Sequence, residues 1–250
     1  MKYRYIFFLM FLSFIFIHSC KKTPLTCLFS GEVVQETIIL SDFDTVEVNH
    51  LIQLSIIHSN ENKLIIKTDK DVLQNIEYQI INGKLILKNN TNCLVQNSQA
   101  IAFMTLYVDD INCIIANTDL DVNSGNVWSF NELKIICENA VVGNNNIADF
   151  DINVNINQLK IIANGSSIFK ISGFCQNLFV GFYGVNPFFM GKNLEAQHIS
   201  VFHRGSGDMH LFPIESLSGD HYGYGDIYIY RQPQIYNLRS HYAGYIYFVN

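Results

Sequence analysis

The chain reads as an all-β protein, a β-solenoid with coils of about 18–21 residues entered through N-terminal β-hairpin strands. Three observations predict this. Alternating or β-branched apolar runs fill the chain, and none keeps a 3.6-residue period. From about residue 101 onward, clusters of Asn, Gly and Ser interrupt those runs at a near-constant interval. The residues that follow the clusters, Ile168, Phe188, Met209, Ile227 and Ile246, are separated by steps of 20, 21, 18 and 19. One such coil cannot bury its apolar stripe alone. Stacked about 4.8 Å apart, coils pair every strand with the next and share one core.

The first segment is an address rather than part of the fold. Residues 1–19 combine the basic start "MKYRY" with the apolar run "IFFLMFLSFIFI", which is short for a membrane span and reads as an export signal. The following "IHSC", Ile17 to Cys20, resembles the lipobox of bacterial lipoproteins, with His18 as the departure. That resemblance implies diacylglyceryl modification of Cys20 and a membrane anchor of several acyl chains. A plain cleaved signal peptide and an uncleaved anchor are the other readings. "KKTPLT" after the cysteine has no aspartate, which points to the outer membrane, facing periplasm or surface. Residues 20–36 read as a linker and 37–250 as the folded domain, divided into N-terminal strands (37–99) and repeated coils (100–250).

Within the domain, "TVEVNHLIQLSIIHS", "NKLIIKTD", "IEYQIINGKLILKNN" and "AIAFMTLYVDD" read as strands. Asn82-Gly83 sits between two alternating runs and suits a type I′ hairpin turn. "DKDVLQNI" is the one helical turn, capped by Asp69 or Asp71. Further on, "LKII" at 133 and at 159, "LFVGF" at 178, "ISVF" at 199 and "LSGD" at 217 open successive units; the first step of 26 marks an insertion or a break in the repeat. The expected inward ladders are Leu159, Leu178 and Ile199 on one wall, and Ile168, Phe188, Met209, Ile227 and Ile246 on another. Gly165, Gly184, Gly207, Gly225 and Gly244 then read as corners needing unusual backbone angles.

Composition excludes several functions. The formal net charge is −6, and Lys and Arg are scattered, so nucleic acid is not an expected partner. Beyond Cys20 an odd set of cysteines remains, with no CxxC spacing; Cys113 and Cys137 lie in apolar runs and read as core. No cofactor is expected: Gly205-x-Gly207 precedes a strand rather than a helix, which is the wrong context for a phosphate-cradling loop.

The lines "GSGDMHLF" and "GYGDIYIY" resemble the Ser-Gly-Ser-Gly-Asp-Ile/Val-x-Val signature of the "putative auto-transporter adhesin, head GIN domain" family of Bacteroidota envelope proteins. The stretch from Phe43 to Asn90 is similar to that family's opening, closing on Gly-x-Leu-x-Ile at Gly83, Leu85 and Leu87. The resemblance spans roughly residues 40–248 and is weakest over about 100–160. It implies a right-handed β-helical body and carries no functional residues.

Candidate sites rest on the residues themselves. His203, His221 and His241 open three similar lines; stacked on successive coils they are metal-ligand candidates, or a simple ring ladder. No HxH or HxxxH pair supports a metal, so no metal site is expected. Asp208 and Asp226 read as turn residues bonded to backbone N–H groups, with a carboxylate pair for glycan cleavage as the alternative. Tyrosines crowd the last coils, and alternation in "IYIY" turns Ile227 and Ile229 one way and Tyr228 and Tyr230 the other. Tyr222, Tyr224, Tyr228, Tyr230, Tyr245 and Tyr247 are therefore candidates for a face that holds glycan or protein, or for a protective end cover. "FYGVNPFF" reads as a coil corner. The expected function is a non-catalytic, membrane-anchored, adhesin-like binding or structural module. The alternative is a polysaccharide-active enzyme on a β-helix.

Overall fold

The alternation of apolar and polar residues decides where strands form and which side they bury. In the computed structural model, residues 29–92, 98–138 and 147–249 are described, so the export segment, Cys20, Cys27 and Cys93 lie outside the described residues. The strands are β1 (Val33–Ile39), β2 (Thr45–Asn49), β3 (Ile52–His58), β4 (Lys63–Asp69), β5 (Ile76–Ile81), β6 (Lys84–Asn89), β7 (Ala102–Val108), β8 (Cys113–Asn117) and β9 (Val122–Ser124). They continue as β10 (Glu132–Cys137), β11 (Phe150–Ala163), β12 (Ile168–Phe182), β13 (Phe188–His203), β14 (Met209–His221), β15 (Ile227–Ile229), β16 (Ile235–Ser240) and β17 (Ile246–Phe248). A four-residue helix, α1 (Lys70–Leu73), is capped by the Asp69 side chain, which accepts from the N–H of Asp71.

The protein is nearly all-β, and the described strands join into one curled sheet. The sheet bends lengthwise into two walls. In β11 the buried positions are Phe150, Ile152, Val154 and Ile156, then Leu159, Ile161 and Ala163. Burial changes phase at Asn157–Gln158, so the chain turns there from one wall to the other while keeping its apolar side inward. The first wall runs β5, β6, β2, β8, β10, the C-terminal halves of β11 to β14, and β16. The second runs β1, β4, β7, β3, β9, the N-terminal halves of β11 to β14, β15 and β17. Both bury their alternate residues in a single apolar core.

Pairing is parallel throughout the stack from β7–β3 and β6–β2 onward, with antiparallel strands β1, β4 and β5 closing the other end. One ladder is the expected one: Leu133, Leu159, Leu178, Ile199 and Leu217 lie in register, all buried. The 26-residue step between Leu133 and Leu159 is therefore a coil with an insertion. The other ladder differs by one residue at its start. It consists of Phe150, Phe169, Phe189, Met209, Ile227 and Ile246, so Ile168 and Phe188 are not its inward members. The turn clusters vary in length by one, and a one-residue slip moves a side chain to the opposite face. Phe150 and Phe169 stack at 4.8 Å between centroids.

The strands before residue 100 do not simply lead in. β2 and β3 form an interior rung, held between β6 and β8 on one wall and between β7 and β9 on the other. The hairpin at Asn82-Gly83 forms as its turn chemistry requires, with φ of 51° and 77°.

The segments that join one coil to the next stack too. Tyr183, Arg204, Tyr222 and His241 each donate a backbone N–H to the coil beneath, to the carbonyls of Ala163, Phe182, His203 and His221. Gly207, Gly225 and Gly244 sit in this turn column with ordinary negative-side φ, contrary to the expectation of unusual angles. Glycine is needed there for another reason. A Cβ on Gly225 would lie inside contact distance of the Gly207 carbonyl oxygen, and one on Gly244 would meet both Gly225 and the His221 ring.

Candidate functional site

The three candidate histidines part company. His203 and His221 pair in register, are fully buried, and stack at 4.8 Å with 13° between ring planes. Position 221 is matched on the next coil by Ser240, so His241 is shifted one residue and points outward. Its Nε2 donates to Asp220 Oδ1 at 2.8 Å, and its ring stacks on Tyr222 at 4.3 Å. Gly244 fills the space over the His221 ring where a third imidazole would stand. Burial, and then the neighbouring His221, pushes His203 down to about 4; burial likewise lowers His221. These are neutral core rings. Among the described residues no group of three or more His, Cys, Asp or Glu side chains could hold a metal.

The aspartates are tied into the backbone. Asp208 accepts the N–H of Asp226 at 2.8 Å, and Asp226 accepts that of Tyr245 at 2.8 Å. Asp149 does the same for Ile168 at 3.1 Å. Each carboxylate therefore staples its coil to the next, which is the turn role, extended across coils. Cys137 and Cys175 are buried thiols whose pKa is raised by burial, Cys137 lying 2.9 Å from Ser167 Oγ, and Cys113 is half-buried.

The tyrosines are distributed over three places. Tyr228 and Tyr247 lie on the outer face of the second wall, where they continue His210 in a stack with centroid spacings of 4.8 and 5.3 Å. Tyr230 joins them through a 2.8 Å bond between its hydroxyl and His210 Nδ1. Tyr224 and Tyr245 stand at the turn edge, Tyr224 bonded to the Tyr242 hydroxyl at 3.0 Å. Tyr222 follows the last residue of β14, where the first wall ends. There it forms an outward ladder of four rings, Tyr183, Phe202, Tyr222 and His241, with spacings of 5.0, 5.9 and 4.3 Å. Arg204 occupies the same coil position between Tyr183 and Tyr222.

Tyr183, Phe202 and His241 were not legible as one site. A signal was present for Tyr183 and Phe202, which neighbour the buried Phe182 and His203, but using it requires knowing which phase each strand keeps after the bend; His241 follows the exposed Ser240 and carries no such signal. The ladder is four flat rings on consecutive coils, three of them with a polar rim. Such a surface binds by stacking and by rim hydrogen bonds.

Solved structures share this fold. A "putative adhesin" from Bacteroides fragilis matches with a TM-score of 0.79 at 19% identity, over 88% of this chain and 98% of that one. A "putative adhesin" from Parabacteroides merdae matches at 0.64 and 13%, over 89% and 98%. A "putative lipid binding protein" from Parabacteroides distasonis matches at 0.58 and 13%, over 89% and 98%. At these identities the likeness is one of fold. No curated protein matches the chain. Residues 42–233 match the family described as "Putative auto-transporter adhesin, head GIN domain", and the chain belongs to that family.

Proposed function

We propose that the chain is a non-catalytic, adhesin-like module of the cell envelope, whose outward aromatic ladders hold a glycan or an envelope protein. The observation that carries this reading is the four-ring ladder Tyr183–Phe202–Tyr222–His241, repeated at coil spacing on an exposed face. A packed core explains inward rings; it does not explain outward ones. Tyr183, Tyr222 and His241 are each exposed, so their apolar area is available to a partner. The catalytic alternative loses support because the Asp208 and Asp226 carboxylates are engaged by backbone N–H groups.

Three further elements belong to the same reading. The export signal directs the chain out of the cytoplasm, and Cys20 anchors it through lipid at the outer membrane. The coils wind in the right-handed sense, as parallel crossovers in one sheet do in about 98% of cases. The test is a screen of the full chain on arrayed glycans and on envelope extracts, repeated with Tyr183→Ala/Tyr222→Ala. Capture that the double variant loses is the expected result. Capture that survives it refutes the ladder's role. Metabolic labelling with a fatty-acid probe, absent in Cys20→Ser, tests the anchor.

A further inference from the structure

The outer face of the first wall holds a second feature, a groove of about 500 Å³ that crosses the strands from β10 to β14. Its floor is the outer side of the leucine ladder described above. One rim carries Glu132, Gln158, Asn177 and His198 in register on consecutive coils, with His198 bonded to Ser216 at 3.0 Å and 3.6 Å from Glu215. The other carries Lys134, Lys160 and Phe179, also in register. Five rungs spaced about 4.8 Å apart make the groove about 19 Å long. Its lining changes along its length, from charged and amide side chains on β10 and β11 to Ser200, Ser216 and Ser218 on β13 and β14.

The charge on this face is informative. Lys134 and Lys160 stand on adjacent rungs, and among the described residues neither forms an ion pair. Two like charges at that separation repel each other. Glu132 is the one carboxylate in the groove lining, on the opposite rim, so the lining carries two ammonium groups against one carboxylate although the chain as a whole carries −6. Lys160 is also held in place, its Nζ lying 5.2 Å from the centre of the Phe179 ring. An anionic group between the two ammonium groups would relieve the repulsion.

The occupant must be a linear polymer that does not need a strand edge. An added peptide strand is excluded, because every rung from β10 to β14 already has a hydrogen-bonded neighbour on each side. A sugar chain needs no such edge, and an extended one can lie across rungs spaced about 4.8 Å apart. We propose that this groove binds a linear anionic polysaccharide, with an acidic substituent between Lys134 and Lys160 and neighbouring hydroxyls bonded to Gln158 and Asn177. The assignment deepens the adhesin-like reading by naming a ligand class, and it uses residues outside the aromatic ladder.

Titration of the full chain with alginate oligomers, dextran sulfate and neutral dextran tests it, alongside Lys134→Gln/Lys160→Gln and, as a control outside the groove, the exposed Lys67→Gln. One or both anionic polymers should bind, weakening as salt is raised. Binding by alginate assigns a carboxylate, and binding by dextran sulfate assigns a sulfate. The double lysine variant should lose at least tenfold in affinity with an unchanged melting temperature, while Lys67→Gln keeps it. Equal binding by neutral dextran, tighter binding by a single-stranded oligonucleotide, or full affinity in the lysine variant would overturn the assignment. If neither anionic polymer binds but the arrayed capture through the aromatic ladder persists, the groove assignment alone falls. If both are absent, the adhesin-like reading falls with it.

Discussion

At the scale of single residues, the buried His203–His221 stack makes stability depend on pH. The N–H of Gly205 donates to His203 Nδ1 at 3.3 Å, so the proton of the neutral ring sits on Nε2, which has no partner. Protonating the stack would place a second proton in an apolar site beside another imidazole. The folded pKa of His203 is about 4, below the unfolded value of 6.5, so the unfolded chain binds more protons between those limits. Stability therefore rises with pH through that window and is lost as pH falls from about 6.5 towards 4. For His203 alone the loss between pH 7 and pH 4.5 is about 2 kcal/mol. Urea midpoints at the two pH values measure it, and His203→Phe should flatten the difference. A second residue-scale prediction concerns the staples. Asp226→Ala removes the acceptor for the Tyr245 N–H and should cost about 1–2 kcal/mol in thermal unfolding.

At the scale of elements, glycines in the turn column have opposite fates depending on what lies above them. Gly225→Ala drives a Cβ into the Gly207 carbonyl, and because both are backbone neither can yield without moving a coil. A loss of about 2–4 kcal/mol is expected. Gly184 has open space around its Cβ position and no positive φ, so Gly184→Ala should change stability by less than about 1 kcal/mol, on the stabilising side. Calorimetry of the pair separates close approach from backbone freedom as the reason for glycine here. The same elements show what a sequence can carry. The Asn82-Gly83 hairpin was legible because its turn chemistry is local, and the leucine ladder because "LKII" is written twice in the same phase. Ile168 and Phe188 were misplaced because counting from turns of unequal length loses one residue. The insertion of β2 and β3 between rungs formed much later in the chain leaves no local trace, since pairs such as Val46 with Ile114 depend on long-range stacking alone.

At the scale of the molecule, a bent parallel sheet converts a weak sequence repeat into columns of like residues. Inward columns become one continuous core, and outward columns become surfaces with a period of one coil. That is why the last tyrosines, adjacent in sequence, end up in three places: the bend and the turn set their directions independently. It also brings Tyr183, Phe202, Tyr222 and His241 together although they are spread over nearly sixty residues. The candidate site was thus legible as an aromatic excess and not as a geometry. The most direct test of the account is the affinity of the full chain and of Tyr183→Ala/Tyr222→Ala for the strongest captured glycan or envelope component, measured by titration with melting temperatures in parallel. The account predicts at least a tenfold loss of affinity with the fold intact; equal affinity in the two proteins would contradict it.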